Sequence, residues 1–264
     1  MSSVRVCLCG ALGALLVLSG CDQSDPPDEV MGGSGGGGGG GDGDGDGGGG
    51  GGGSGGSGGG SPTGSFYPYV AGSSWSYEHS GGGSMAWTEQ VTLEATMHNG
   101  AAAMMLSDSA GPSGSQTNSI LAQAGTEVRR VHKEVVGASP TVVDYDPGFT
   151  RFDEAWPSMP VGTVDTRMYT RTEVTNGATI VETRVQRYTV EQLGVDVAVP
   201  AGNFSDCVVM FRQRQAPDGG PPTGAQIREK RFSFCPGVGK VKEENLTDGG
   251  LEVLVSCNVP GGGC

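Results

Sequence analysis

Three aspartates at alternate positions, Asp42-Gly43-Asp44-Gly45-Asp46-Gly47, reproduce the first half of a calcium loop. An EF-hand takes oxygen ligands from positions 1, 3 and 5, with glycine at 6 for the turn and a bidentate glutamate at 12. Here the twelfth position is Gly53, and no helix-forming sequence flanks the tract. The tract also lacks the repeated nonapeptides of a calcium-binding β-roll. It reads as a solvated acidic spacer, with calcium at Asp42, Asp44 and Asp46 as the alternative. His79, His98 and His132 are isolated in sequence from cysteine and from one another, and none forms H-x-H or H-E-x-x-H. No G-x-S-x-G elbow marks a nucleophilic serine. The acidic pairs Asp144/Asp146 and Asp153/Glu154 are the carboxylates a glycosidase could use, but paired acids in turns are more often solvated or capping. Arg129, Arg130, Lys133, Arg184 and Arg187 could line an anion site, or could pair with glutamate on solvated strand faces. Trp75, Tyr77, Trp87 and Trp156, with Tyr67, are the candidates for an aromatic ligand platform, against the commoner role of packing a core. None of these sets nominates a catalytic residue, and none implies a cofactor.

The elements that would position these residues alternate with period two. Val91, Leu93, Ala95 and Met97 share one face of a strand, with Thr92, Glu94 and Thr96 on the other. Asn99-Gly100 and Asn176-Gly177 each sit between two such runs, the strongest short signal for a tight hairpin. In the second hairpin Met168, Thr170, Thr172 and Val174 share a face opposite one rich in arginine and glutamate. Further strands are expected at 73–79, 101–106, 126–136, 141–145, 178–190, 193–199, 204–215, 226–235, 238–245 and 251–257. Residues 107–119 and 153–162 read as loops, Asp146-Pro147-Gly148 as a turn, and Ile120 to Gln123 as at most one helical turn. The fold class is therefore all-β: a single curved antiparallel sheet or open half-barrel of hairpins.

Composition divides the chain. Of the 51 glycines most fall in one block, and from Gly32 to Gly60 the sequence is almost only Gly, Ser and Asp. Such a stretch has nothing to bury and loses the most entropy on ordering, so residues 21–64 are expected to form a disordered tether. Its random-coil reach is roughly 35–40 Å. Residues 65–264 then form one globular domain. The net charge of −13 is shared almost equally, because residues 1–64 set Arg5 against Asp22, Asp25, Asp28, Glu29, Asp42, Asp44 and Asp46. A modestly acidic domain argues against nucleic acid as a partner, since phosphate binding needs concentrated Lys and Arg.

At the N-terminus Arg5 precedes an apolar run from Val6 to Leu18, the length of a signal-peptide core and too short to span a bilayer. The run ends in Leu18-Ser19-Gly20-Cys21, which resembles the lipobox of bacterial lipoproteins. The resemblance implies that residues 1–20 are a signal peptide and that Cys21 is acylated as the new N-terminus. The protein would then be held at the cell envelope by lipid, its membrane contact being the acyl chains at ~0.8 kcal/mol per buried methylene. It does not say which membrane. Asp22 follows the cysteine, an inner-membrane retention mark in enteric bacteria that varies between lineages. Cys7 and Cys9 leave with the leader, and Cys207, Cys235, Cys257 and Cys264 remain. An even number in an exported chain suggests two disulfides among three possible connectivities, with Cys207–Cys235 and Cys257–Cys264 preferred. Zinc is the rival reading, but no C-x2-C pair exists and no histidine lies beyond His132.

Three further segments carry a second resemblance. Tyr67-Pro68-Tyr69-Val70-Ala71-Gly72-Ser73-Ser74-Trp75-Ser76-Tyr77 is similar to the P-x-x-x-G-x-x-W-x-Y opening of a group of poorly characterised bacterial exported proteins. Val199-Pro200-Ala201-Gly202-Asn203-Phe204 matches their P-A-G-x-F segment, and Cys235-Pro236-Gly237-Val238-Gly239-Lys240-Val241 their P-G-V-G-x-V segment. The resemblance implies a curved sheet broadly like the half-barrels of LolA-type lipoprotein carriers. Those carriers plug the open side with a helix, for which this sequence offers only the loops at 107–125 or 146–163. Three functions are compatible: a non-enzymatic binding or structural module at the envelope, which is the leading one, a carrier or sensor of an apolar ligand in the concave face, or an envelope hydrolase.

Overall fold

The computed structural model describes residues 64–83, 85–220 and 228–264. The lipobox with Cys21, and the Asp42, Asp44 and Asp46 tract, lie outside them, as does the start expected for the strand at 226. Twelve strands follow one another as a meander: β1 (Ser73–Gly81), β2 (Trp87–His98), β3 (Ala101–Asp108), β4 (Gln116–Ala124), β5 (Glu127–Val136), β6 (Thr141–Asp153), β7 (Val164–Thr175), β8 (Ala178–Val199), β9 (Gly202–Gln215), β10 (Glu229–Cys235), β11 (Gly239–Asn245) and β12 (Gly250–Asn258). The helical element among the described residues is one 3-10 turn, Trp156–Ser158.

Every neighbour pair is antiparallel, and the sheet does not stay open. β1 pairs with β2 on one side and with β12 on the other, so the half-barrel expectation is corrected to a closed barrel. Period-two patterning specifies the two faces of a strand but not whether the last strand reaches the first. Closure satisfies the backbone groups of both edges and leaves no template for aggregation.

Both Asn-Gly hairpins form as tight turns. Asn99 and Gly100 have φ of 50° and 78°, and Asn176 and Gly177 have 50° and 79°, the paired positive angles that a type I′ turn needs. Three local readings change. Residues 116–124, expected as loop and helical turn, form β4, whose lumen face is polar and so gave no apolar alternation: Thr117 and Ser119 are buried there beside Leu121. Asp146-Pro147-Gly148 lies within β6 instead of ending it. Gly148 sits at φ +128°, and a Cβ there would come within 2.9 Å of the Arg129 Cβ, so only glycine lets the strand pass. The strands expected at 178–190 and 193–199 are one long strand, β8, which absorbs the irregularity in bulges around Gln192 and Val195.

One end of the barrel is apolar and filled. Trp75, Tyr77, Val91, Leu93, Leu106, Leu121, Val128, Val238, Val241 and Leu254 pack there around the Cys207–Cys235 disulfide. A second cluster joins Phe152, Trp156, Tyr188, Val208, Met210, Phe232 and Phe234 to Phe66. The plug is built by the chain's own entry segment together with Trp156 from the expected covering segment 146–163, whereas 116–124 of the other expected segment forms β4. Glu154 receives hydrogen bonds from the Phe66 amide at 3.1 Å and the Tyr67 amide at 2.9 Å, and from the Ser65 hydroxyl. Gly237 N–H donates to Ser65 O at 2.9 Å.

The three motif segments meet at this same end. Trp75 Nε1 donates to Val238 O at 2.7 Å, and Ala201 N–H donates to Leu254 O at 3.0 Å. Val199, Ala201 and Phe204 pack against the cluster that holds Trp75 and Val238. Their joint role in this chain is therefore to close the barrel floor. The second disulfide, Cys257–Cys264, ties the C-terminal residues to the end of β12.

Candidate functional site in the barrel lumen

Along several strands the inward residues change from apolar at the closed end to ionic toward the other, while Val143, Tyr145, Phe149 and Tyr169 keep β6 and part of β7 apolar. Leu254 gives way to Glu252 on β12, Leu93 and Val91 to Glu89 on β2, and Phe234 and Phe232 to Lys230 on β10. On β9 the order is Val208, Met210, Arg212, Arg214, and on β8 it is Val190, Tyr188, Gln186, Arg184. The lumen thus carries the ionic face of several strands. On β7 the expected polarity is reversed: Met168 and Val174 point outward at 65% and 39% exposure, while Tyr169 and Arg171 are buried. Arg130, Lys133 and Arg184, expected on solvated faces, are also buried, whereas Arg187 is exposed and Arg129 pairs with Glu127 outside the lumen. No local periodicity could have told this, because the inward ionic groups depend on partners that only closure brings within reach.

Acids gather on β2, β3, β11 and β12. Glu243 and Glu252 stand directly opposite each other across two paired strands, and Asp108 lies opposite Val91, diagonal to Glu89. Like charges so placed repel unless a cation intervenes. Lys240 is that cation: its Nζ lies 2.7 Å from Glu243 Oε2 and 2.7 Å from Glu252 Oε1, while Lys230 Nζ donates to Glu243 Oε1 at 2.8 Å. Burial works against the Lys240 charge, but Glu243 and Glu252 outweigh it and hold the ammonium well above the ordinary lysine range. For Glu252 the balance goes the other way, burial raising its pKa more than Lys240 lowers it. A separate set binds Arg171 and Arg184 to Glu182, at 3.1 and 2.7 Å.

Asp108 is likewise buried beside another acid. Burial, then the neighbouring Glu89, push its carboxyl well above the usual range despite Arg130, Arg151 and Lys240, and its Oδ2 has no hydrogen-bond partner. A carboxyl whose folded pKa is raised stabilises the fold below its unfolded pKa, and that contribution disappears as pH rises through the folded value. Asp108→Asn is therefore expected to stabilise the protein at pH 7 by about 1–3 kcal/mol. The gain should shrink as pH falls below about 4, where the carboxyl is neutral in both states. Urea unfolding at both pH values checks this.

Between the apolar floor and the ionic zone lies a cavity. It is lined by Tyr67, Trp75, Tyr77, Trp156, Tyr188, Phe232 and Phe234, and by Glu89, Asp108, Arg130, Arg151, Arg212, Lys240 and Glu252. The space open to the centres of water-sized molecules is about 70 Å³, against the roughly 10–15 Å³ that one water needs on that measure. Arg212 crosses this space with its guanidinium over Phe149 at 5.1 Å and over Phe232 at 4.8 Å. Among the described residues no carboxylate lies within ion-pair distance of Arg212.

The aromatic candidates divide accordingly. Trp75, Tyr77 and Trp156 line the lumen instead of forming an exposed platform, their polar atoms spent on Val238 O, Lys240 O and Asp165 Oδ2. Trp87, on the same face of β2 as Glu89, does not line the cavity and stacks on His79 at 4.2 Å. The histidines are not isolated in space. His79 Nε2 lies 3.1 Å from Glu89 Oε2, and the His98 and His132 rings approach to 5.9 Å, with Asp144 at 2.7 Å from His132. Of the acidic pairs, Asp153 serves Arg167 and Glu154 the entry segment, while Asp144 and Asp146 are exposed.

No protein-family profile matches this chain, and no curated protein does. Among solved structures it is similar to one described as "a putative lipoprotein from Parabacteroides distasonis ATCC 8503", at 10% identity and a TM-score of 0.37, over 74% of this chain and 99% of the other. A likeness this loose carries no functional argument.

Proposed function

We propose that the chain is a lipid-anchored envelope protein whose barrel binds a small organic anion in its lumen without transforming it. The observation that carries this is Arg212, a cation lining an internal cavity with aromatic faces about it and, among the described residues, no carboxylate within ion-pair distance. A guanidinium offers planar, paired donors that fit a carboxylate or phosphate, and the surrounding rings accept a planar body. An apolar cargo fits less well, because it would strip water from Arg212, Asp108 and Glu89 and give nothing back. Anchoring rests on the lipobox, with the lipid on Cys21 as the membrane contact.

Benzoate is the simplest probe with both features. Titrated against tryptophan fluorescence, it is expected to saturate, with acetate far weaker. Arg212→Met should weaken benzoate by about 10–100-fold, the value of one charge-assisted hydrogen bond. Equal binding by a folded Arg212→Met variant would refute the lumen reading. The anchoring half predicts that Cys21→Ala leaves the membrane fraction and that globomycin causes precursor to accumulate. An unchanged precursor size, or a Cys21→Ala variant still wholly in membranes, would sink it.

A further inference from the structure

We propose that His79, Glu89 and Glu252 form a site for a divalent transition ion, best matched by Zn²⁺, where the ionic end of the lumen meets solvent. This extends the reading of the lumen as a binding site and shares its wall, but stands independently of anion binding at Arg212. One ligand atom from each of the three residues lies within 4.8 Å of the other two. His79 Nε2 and Glu89 Oε2 are already 3.1 Å apart. In a tetrahedral site with bonds of about 2.0–2.2 Å, adjacent donors lie about 3.4 Å apart, so one edge is already at that spacing and the longest needs only a side-chain adjustment.

The three residues come from β1, β2 and β12, and the register puts His79 directly opposite Glu252. That seam is the one that closes the barrel, so the site exists only in the closed fold. A second observation, at Glu89, points to a cation. Glu89 lines the cavity with its side chain only 4% exposed, and its Oε1 has no hydrogen-bond partner. A buried carboxylate oxygen left so is costly, and a bound cation would satisfy it. The two carboxylates and a neutral imidazole supply −2, of which Lys240 at 2.7 Å from Glu252 Oε1 already offsets one unit, so the ion displaces Lys240 from Glu252. Lys240 would retain Glu243, which it already meets at 2.7 Å. Trp87 stacked on His79 at 4.2 Å fixes the ring plane, and His79, at 13% side-chain exposure, gives the ion a way in from solvent. One imidazole and two carboxylates suit Zn²⁺, whereas Ca²⁺ and Mg²⁺ prefer all-oxygen shells.

The test is calorimetric titration of the full, chelator-stripped chain with Zn²⁺ in buffer free of benzoate. The expected result is one tight Zn²⁺ per chain, weakened at least about 10-fold in His79→Ala and in the near-isosteric Glu89→Gln, the scale on which even outer-shell partners act. Arg212→Met should bind Zn²⁺ as the parent does, which separates this outcome from a failure of the anion site. His132→Ala should also be unchanged. Co²⁺ absorption in the visible, present in the parent and lost in Glu89→Gln, provides a second readout on protein shown to be folded by circular dichroism. Zn²⁺ affinity unchanged in both site variants, loss in His132→Ala instead, or no tight Zn²⁺ in the parent would overturn the proposal.

Discussion

Replacing Lys240 with methionine is expected to destabilise the barrel by about 3–5 kcal/mol at neutral pH, the scale for removing one partner of a buried ion pair. The stem of methionine is close in length, so packing is nearly preserved and the loss is electrostatic. Glu243 and Glu252 face each other directly across β11 and β12, and Lys240 is within 2.7 Å of both. Without it Lys230 still reaches Glu243, but Glu252 keeps a buried charge. The sign with pH follows. Glu252 already has a raised pKa in the intact protein, and removing its cation raises it further. A carboxyl raised on folding costs nothing below its unfolded pKa, so the Lys240→Met penalty should be largest at pH 7 and fade below about pH 4. Chemical denaturation at several pH values checks both the size and the trend. A penalty that does not vary with pH would mean that Lys240 acts through packing.

Phe152→Ala is expected to cost a similar 3–5 kcal/mol, for a different reason. Phe152 is fully buried, and its ring sits 4.5 Å from Phe234, 5.3 Å from Trp156, 6.2 Å from Phe66 and 6.5 Å from Tyr67. It joins the wall of the barrel to the segment that plugs it. Truncation leaves a cavity at the junction and loosens the packing that holds Phe66, while Glu154 still holds the backbone of residues 66 and 67. Besides a lower midpoint of unfolding, amide exchange at Phe66 and Tyr67 should speed up more than exchange in β1 or β12. Uniform acceleration would instead mean that plug and barrel unfold as one unit.

Much of the fold was legible where local chemistry decides it. Asn99-Gly100 and Asn176-Gly177 announce tight turns because few other residues adopt positive φ twice in succession. The motif around Trp75, with the segments at 199–204 and 235–241, marked residues that converge on one floor. What escaped was anything set by closure. Thr117 and Ser119 face inward on β4 without apolar character, so that strand had no period to show. Met168 and Val174 suggested an inward face on β7, yet Tyr169 and Arg171 occupy it, because Glu173 and Glu182 are there to meet the arginine. The candidate site suffered in the same way. His79 stands 10 positions from Glu89 and far further from Glu252, and only the β1–β12 seam brings the three together. Arg212 carried no sequence signal at all beyond being a strand arginine.

If ligand enters the lumen, the three tryptophans locate it. Trp75 and Trp156 line the cavity while Trp87 does not. Indole N–H resonances followed by NMR during a benzoate titration should therefore move for Trp156 and Trp75, saturably, and remain in place for Trp87. Movement confined to Trp87, or no saturable movement of any indole, would contradict entry into the lumen.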